Sequence, residues 1–204
     1  EIQDEFNAKL NAAFAKSTAS FDAALASDQA LFDALRAALG PAADADALTV
    51  TQLSRRTLEA FGRDYDDSRR TDAAPLDVPR AVLEARLSPA GRKAALAVVA
   101  ASAKEWEALA VQRRQLIRQA RLSVNTARRM SDAAAFNAST KARDELTAQK
   151  QKVDASWRAL AEAACAQITA ALAPEDATAW NTALLPLQWP KWYPVLRMDL
   201  PGPP

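Results

Sequence analysis

Apolar residues recur along the N-terminal stretch at spacings of three, four or seven. Ile2, Phe6, Leu10, Phe14, Phe21, Leu25, Phe32, Leu35 and Leu39 make one stripe with polar residues between them, the pattern of an amphipathic helix. Gly40-Pro41 ends it, because glycine suits the left-handed position after a helix and proline cannot continue one. At ~1.5 Å per residue this helix is on the order of 55 Å long. That is too long to be enclosed by a compact globule, so it must lie along something else, with the phenylalanine stripe as core. After an Ala/Asp linker over 42–47, a second helix is predicted from Leu48 to about Arg70. Val50, Leu53, Thr57 or Leu58, Phe61 and Tyr65 form its apolar face, and Thr49 or Thr51 its cap. Two prolines within 72–79 mark a further linker, and a short helix from Pro79 to Leu87 follows.

The longest pattern opens at Ser88-Pro89, a serine N-cap followed by proline at the first helical position. Positions 96, 99, 103, 106, 110, 113, 117, 120, 124 and 127 step by three and four. They read Leu, Val, Ala, Trp, Ala, Arg, Ile, Ala, Val, Ala, and Arg113 alone breaks the apolar seam. No glycine or proline intervenes between Gly91 and Met130, so one uninterrupted helix is predicted. A seam held this long calls for a long partner. Ser131-Asp132 restarts the helix, and Phe136, Leu146, Val153, Trp157, Leu160, Ala164, Ile168 and Ala171 line one face as far as Leu172. With almost no loop between them, the two helices form an antiparallel hairpin, with Trp106 and Trp157 in its core. Pro174 opens a last short helix to Leu185, with Trp180 and Leu184 on one side. Residues 186–204 hold six prolines with Trp189, Trp192 and Tyr193. They read as an extended, partly polyproline strap whose aromatics dock on this protein's helices or on a partner.

These elements predict an all-α fold of long antiparallel helical hairpins in an elongated bundle or cradle, with an extended Pro/Trp-rich C-terminal tail. The proline-bearing connection divides it into an N-terminal hairpin (1–78), a long hairpin (79–185) and the tail (186–204). Composition agrees, since the strong helix formers Ala, Leu and Arg are the most frequent residues and only 4 glycines are present. The net charge is +1, but its distribution is uneven. Residues 1–48 carry Glu1, Asp4, Glu5, Asp22, Asp28, Asp33, Asp44 and Asp46 against Lys9, Lys16 and Arg36. Residues 108–131 carry Arg113, Arg114, Arg118, Arg121, Arg128 and Arg129 and no acid.

Chemistry of the enzymatic kind finds little here. The chain has 0 histidines, which removes the commonest general base and the commonest metal ligand together. Its single cysteine, Cys165, excludes an intrachain disulfide and sits in the small-residue run AEAACAQI as a core position. Asp64, Asp66 and Asp67 lack the spacing of a calcium loop, and no nucleophile elbow, phosphate loop or zincin motif occurs. No enzyme activity, metal or cofactor is expected. No apolar run is long enough to span a bilayer, which leaves association with a membrane surface open. The start at Glu1, without Met, suits a mature processed protein.

The arginines are the strongest chemical feature. Arg114, Arg118 and Arg121 share one helical face, and Arg128 extends the row. Three readings are open: a solvated face or one paired with the acidic first helix, a surface for an acidic or amphipathic protein, and a nucleic-acid stripe. The balanced overall charge argues against the last. If Arg113 is buried it requires an acid, and the first helix is where acid is in excess.

The segment from Leu87 to Leu185 resembles the Spy/CpxP family of periplasmic helical proteins, which includes CnrX- and ZraP-type metal-resistance proteins. That family carries LTxxQ motifs at helix starts, separated by a long hairpin. Here LAPED (172–176) stands where LTPEQ is common and LSPAG (87–91) stands at the other place, while QRRQLIRQAR is similar to the family's arginine-rich middle. One unaltered motif, LTVTQ (48–52), lies outside the aligned half. The resemblance implies a curved helical cradle, often dimeric, that holds partly folded proteins or senses stress or metals in the periplasm. Arg114, Arg118, Arg121 and Arg128 would lie on its binding face. The lack of histidine speaks against the metal-sensing branch. The expected protein is thus a non-enzymatic, chaperone-like binder of an unfolded client. The alternative is an accessory subunit of a larger complex, docked through Trp189, Trp192 and Tyr193.

Overall fold

In a computed structural model, residues 2–40, 44–66, 76–127 and 133–188 are described. They form seven α-helices, with no strand among the described residues: α1 (Ile2–Leu39), α2 (Ala45–Asp66), α3 (Val78–Glu84), α4 (Pro89–Ala101), α5 (Ala103–Ala127), α6 (Ala133–Ala171) and α7 (Pro174–Gln188). The fold is all-α, as the periodicity predicts. The tail from Trp189 onward, for which the prolines predict an extended course, lies outside the described residues.

The chain divides into two compact units that do not follow the expected boundaries at 78 and 185. The first unit comprises Glu1–Asp44 and Gln115–Gln151, the second Ala45–Arg114 and Lys152–Pro204. In the second unit α2 packs on α3 and α4, and α3 packs on α4 and α7. The proline-bearing connection is therefore internal to a unit, because the apolar face of α2 is completed by the helices that come after it. The core gathers Val50 and Leu53 from α2, Val78, Ala81 and Val82 from α3, and Leu96 and Val99 from α4. Trp106, Trp157, Ile168, Trp180 and Leu184 complete it.

Within this unit α5 and α6 run antiparallel: Trp106 meets Trp157, and seven residues further along α5 Arg113 meets Asp154, earlier on α6. The two indoles stack edge to face, with centroids 4.5 Å apart and planes at 73°, the arrangement that the ring quadrupole favours. Each indole N–H is satisfied: Trp106 Nε1 donates to Ser102 Oγ at 3.0 Å and Trp157 Nε1 to the Leu76 carbonyl at 3.2 Å.

Three expectations change at the level of elements. The long helix is broken at Ser102, whose φ of −102° and ψ of 15° separate α4 from α5. The Ser102 N–H reaches back to the Val99 carbonyl at 3.3 Å, an i→i−3 bond that tightens the turn. Second, α2 begins earlier than Leu48, so Thr49 and Thr51 are interior residues. Their hydroxyls donate to the Ala45 and Ala47 carbonyls at 2.8 and 2.7 Å rather than capping. Third, α7 continues past Pro186 to Gln188. Proline's fixed φ is itself helical, although its ring removes one hydrogen bond and crowds the carbonyl of the preceding turn.

Candidate functional site

The arginine row is divided by its surroundings. In the second unit Arg113 is 1% exposed and Arg114 7%, so Arg114 does not stand on an open basic face as expected. Arg113 Nε donates to Asp154 Oδ1 at 2.7 Å and one terminal nitrogen to the Ala60 carbonyl at 2.6 Å. Its acid thus comes from α6, not from the first helix. The spacing of α5 identifies the face on which Arg113 sits but not the helix that will meet it. Burying a guanidinium is costly unless its charge is matched. Here the Asp154 carboxylate and the Ala60 carbonyl of α2 supply the match. Arg56 on α2, 6% exposed, makes a second such brace with Glu107 on α5. These arginines hold α2, α5 and α6 to one another.

In the first unit Arg118 lies 3.6 Å from Asp22 on α1, with side chains 28% and 63% exposed. The expected pairing of the arginine row with the acidic first helix thus occurs at Arg118. Pairs this open contribute about 0–1 kcal/mol. Arg121 is on α5, but its side chain, like all of Arg128, Trp189, Trp192 and Tyr193, lies outside the described residues.

Among the described residues, the exposed large apolar side chains lie in the first unit. Phe6, Leu31, Leu35 and Leu39 on α1 are 44%, 48%, 36% and 50% exposed, and Phe136 on α6 is 47% exposed. The periodicity predicts Phe6, Leu35, Leu39 and Phe136 in the core, and the structure corrects this. Among the described side chains of the stripe, Phe32 alone is buried and Leu25 is half-buried; those of Ile2, Leu10, Phe14 and Phe21 are outside the described set. A helical stripe shows which side of a helix is apolar, not whether another element reaches it. Leu31, Leu35 and Leu39 step by four, so one helical row is open to solvent.

A second constellation lies where the starts of α4 and α7 meet. Ser88 caps α4, its Oγ accepting from the Gly91 N–H at 3.1 Å. Asp176, in the first turn of α7, accepts from the Ser88 N–H and the Ser88 hydroxyl, both at 2.6 Å. These hydrogen bonds hold the Asp176 carboxyl below its usual 3.8. One carboxylate therefore serves the first turns of two helices, where the helix dipole favours negative charge. LSPAG and LAPED, the segments that carry the family resemblance, are in contact through this joint. The sequence marks both as helix starts but carries no sign that they touch.

Burial, and secondarily Glu162, pushes the Cys165 thiol up to about 11, so it stays protonated at neutral pH and is a poor nucleophile. Among the described residues no cluster of acids and cysteine could hold a metal ion, and no helix is long and apolar enough to cross a membrane. Sequence reasoning passes over Arg56, Glu107, Asp176 and Leu31. The fourfold spacing of Leu31 to Leu35 and Leu39 is a local signal that could expose the last. The other three matter only through partners far along the chain. No protein-family model matches the chain, no curated protein matches it, and no solved structure matches it.

Proposed function

We propose that this chain is a non-enzymatic helical protein-binding protein. It is chaperone-like and of the exported, periplasmic kind that the Spy/CpxP resemblance implies. It holds a partly folded client through apolar side chains on the helices of the first unit. The supporting observation is the open row Leu31, Leu35 and Leu39 on α1, accompanied by Phe6 and by Phe136 on α6. Apolar contact is non-directional and tolerates many sequences, which suits a client without fixed structure. Arg118 and Arg121 supply charge for steering. Arg114 is buried in the second unit instead.

Suppression of aggregation of a chemically denatured client, measured by light scattering, tests this reading. Leu31→Asp with Leu35→Asp alters exposed positions and leaves the core of the second unit untouched. Each leucine is worth roughly 1.5–3 kcal/mol when buried by a client, so the double variant should lose at least tenfold in affinity. Full retention of activity rejects the apolar row as the binding surface. The second reading, a subunit docked through its tail, rests on the Trp- and Pro-rich stretch 189–204. Deleting that stretch should abolish pull-down of a complex if the subunit reading holds, and leave client holding intact if the chaperone reading holds.

A further inference from the structure

We infer that α3 is a pH-responsive strap, anchored through Asp77 more firmly in mildly acidic solution than above neutrality. The helix is short, and Val78, Pro79, Ala81 and Val82 are all buried against α2, α4 and α7. Its leading end is fixed twice: the Trp157 indole bonds the Leu76 carbonyl, and Asp77 caps the first turn by accepting from the Arg80 N–H at 3.1 Å. Asp77 is 1% exposed. Among the described residues this is the carboxylate's one hydrogen bond, and no ion pair reaches it. A carboxylate buried with one donor and no counter-ion favours its protonated form.

The surroundings agree. Burial raises the Asp77 carboxyl from 3.8 to about 6, against the lowering effect of the Arg80 N–H and the Arg80 charge, with Glu84 adding to the rise. The Arg80 guanidinium is itself drawn to Glu84 at 2.7 Å. The helices around α3 bring no other described charge to bear. On α2, Arg56 is held by Glu107, Asp46 is half-buried and Arg55 is exposed. On α4, Arg92 and Lys93 are exposed. On α7, Glu175 is exposed and Asp176 is bound to Ser88. On α6, beside Trp157, Asp154 is held by Arg113 and Arg158 is exposed.

The direction comes from linkage. Between pH 3.8 and about 6 the anchored strap holds a proton on Asp77 that a released, hydrated strap gives up. Anchoring is therefore strongest in acid and weakens as pH rises through about 6. With these values the opening equilibrium grows roughly tenfold between pH 5 and 8.

Amide exchange of residues 78–84 in the full chain, corrected for the intrinsic pH dependence of exchange, measures that equilibrium. The wild-type strap should lose about tenfold protection from pH 5 to 8. Asp77→Asn keeps an equally good cap and should show no such slope. A flat wild-type profile, or the same slope in both proteins, overturns the inference. A carboxyl-carbon NMR titration of folded wild-type protein decides the matter without any variant: an Asp77 midpoint close to 4 overturns the inference, and one near 6 supports it.

Discussion

At Gly91 two rules for glycine oppose each other. Inside an exposed helix, replacing glycine by alanine gains about 1 kcal/mol. Here a Cβ would overlap the Asp176 carboxylate and approach Leu172 Cδ2 to 3.1 Å. The carboxylate cannot swing aside without giving up its two bonds to Ser88. Overpacking therefore outweighs propensity, and Gly91→Ala should destabilise the protein by about 1–3 kcal/mol in urea unfolding; a net gain would mean that the Ser88–Asp176 joint yields freely. Arg113 shows a related division. As the one charge on an apolar seam, it announces in the sequence that it needs a buried acid. That the acid is Asp154 rather than a residue of α1 depends on which helices meet, and spacing along α5 carries no information on that.

Elements were legible where a stop or start signal coincides with the period. Gly40 ends α1 with a φ of +52°, the left-handed conformation that glycine adopts without strain. Ser88-Pro89 and Pro174 open α4 and α7. The break at Ser102 was not legible, because Ala101, Ser102 and Ala103 are all compatible with helix and no glycine or proline marks the place. At the break the hydroxyl of Ser102 takes the hydrogen bond of the Trp106 indole, four residues on and 0% exposed. Ser102→Ala leaves that indole N–H without its acceptor. A loss of about 1–2 kcal/mol is expected, accompanied by a change in the near-ultraviolet dichroism of the Trp106–Trp157 pair. An unchanged stability would show that the break persists without the hydroxyl. Buried unsatisfied indoles are tolerated elsewhere in this core, since the Trp180 N–H has no hydrogen-bond partner among the described residues.

At the scale of the whole molecule, apolar burial among the described residues is uneven. The contiguous core of tryptophans, valines, leucines and alanines belongs to the second unit, whereas the described large apolar side chains exposed to solvent belong to the first. Local stability tracks buried contacts. Amides of Val50–Ala60, Leu96–Ala110 and Val153–Ile168 should therefore exchange at least tenfold more slowly than those of Phe6–Leu39, by native-state hydrogen exchange. Comparable rates would show that α1 is held by contacts its exposed leucines do not reveal. The sequence by itself determined that the chain is helical, where most helices begin and end, and that Trp106, Trp157, Trp180 and Leu184 face inward. Helical propensity, caps and a period of 3.6 are properties of neighbours along the chain, and these set them. Only the tertiary structure decided that α1 keeps an open leucine row, that Arg114 is buried while Arg118 is half-open, that Asp176 ties two helix starts together, and that Asp77 is sealed with a single donor. Each of these depends on which distant side chain fills the space beside it. A one-dimensional pattern shows that a face needs covering and is silent on what covers it.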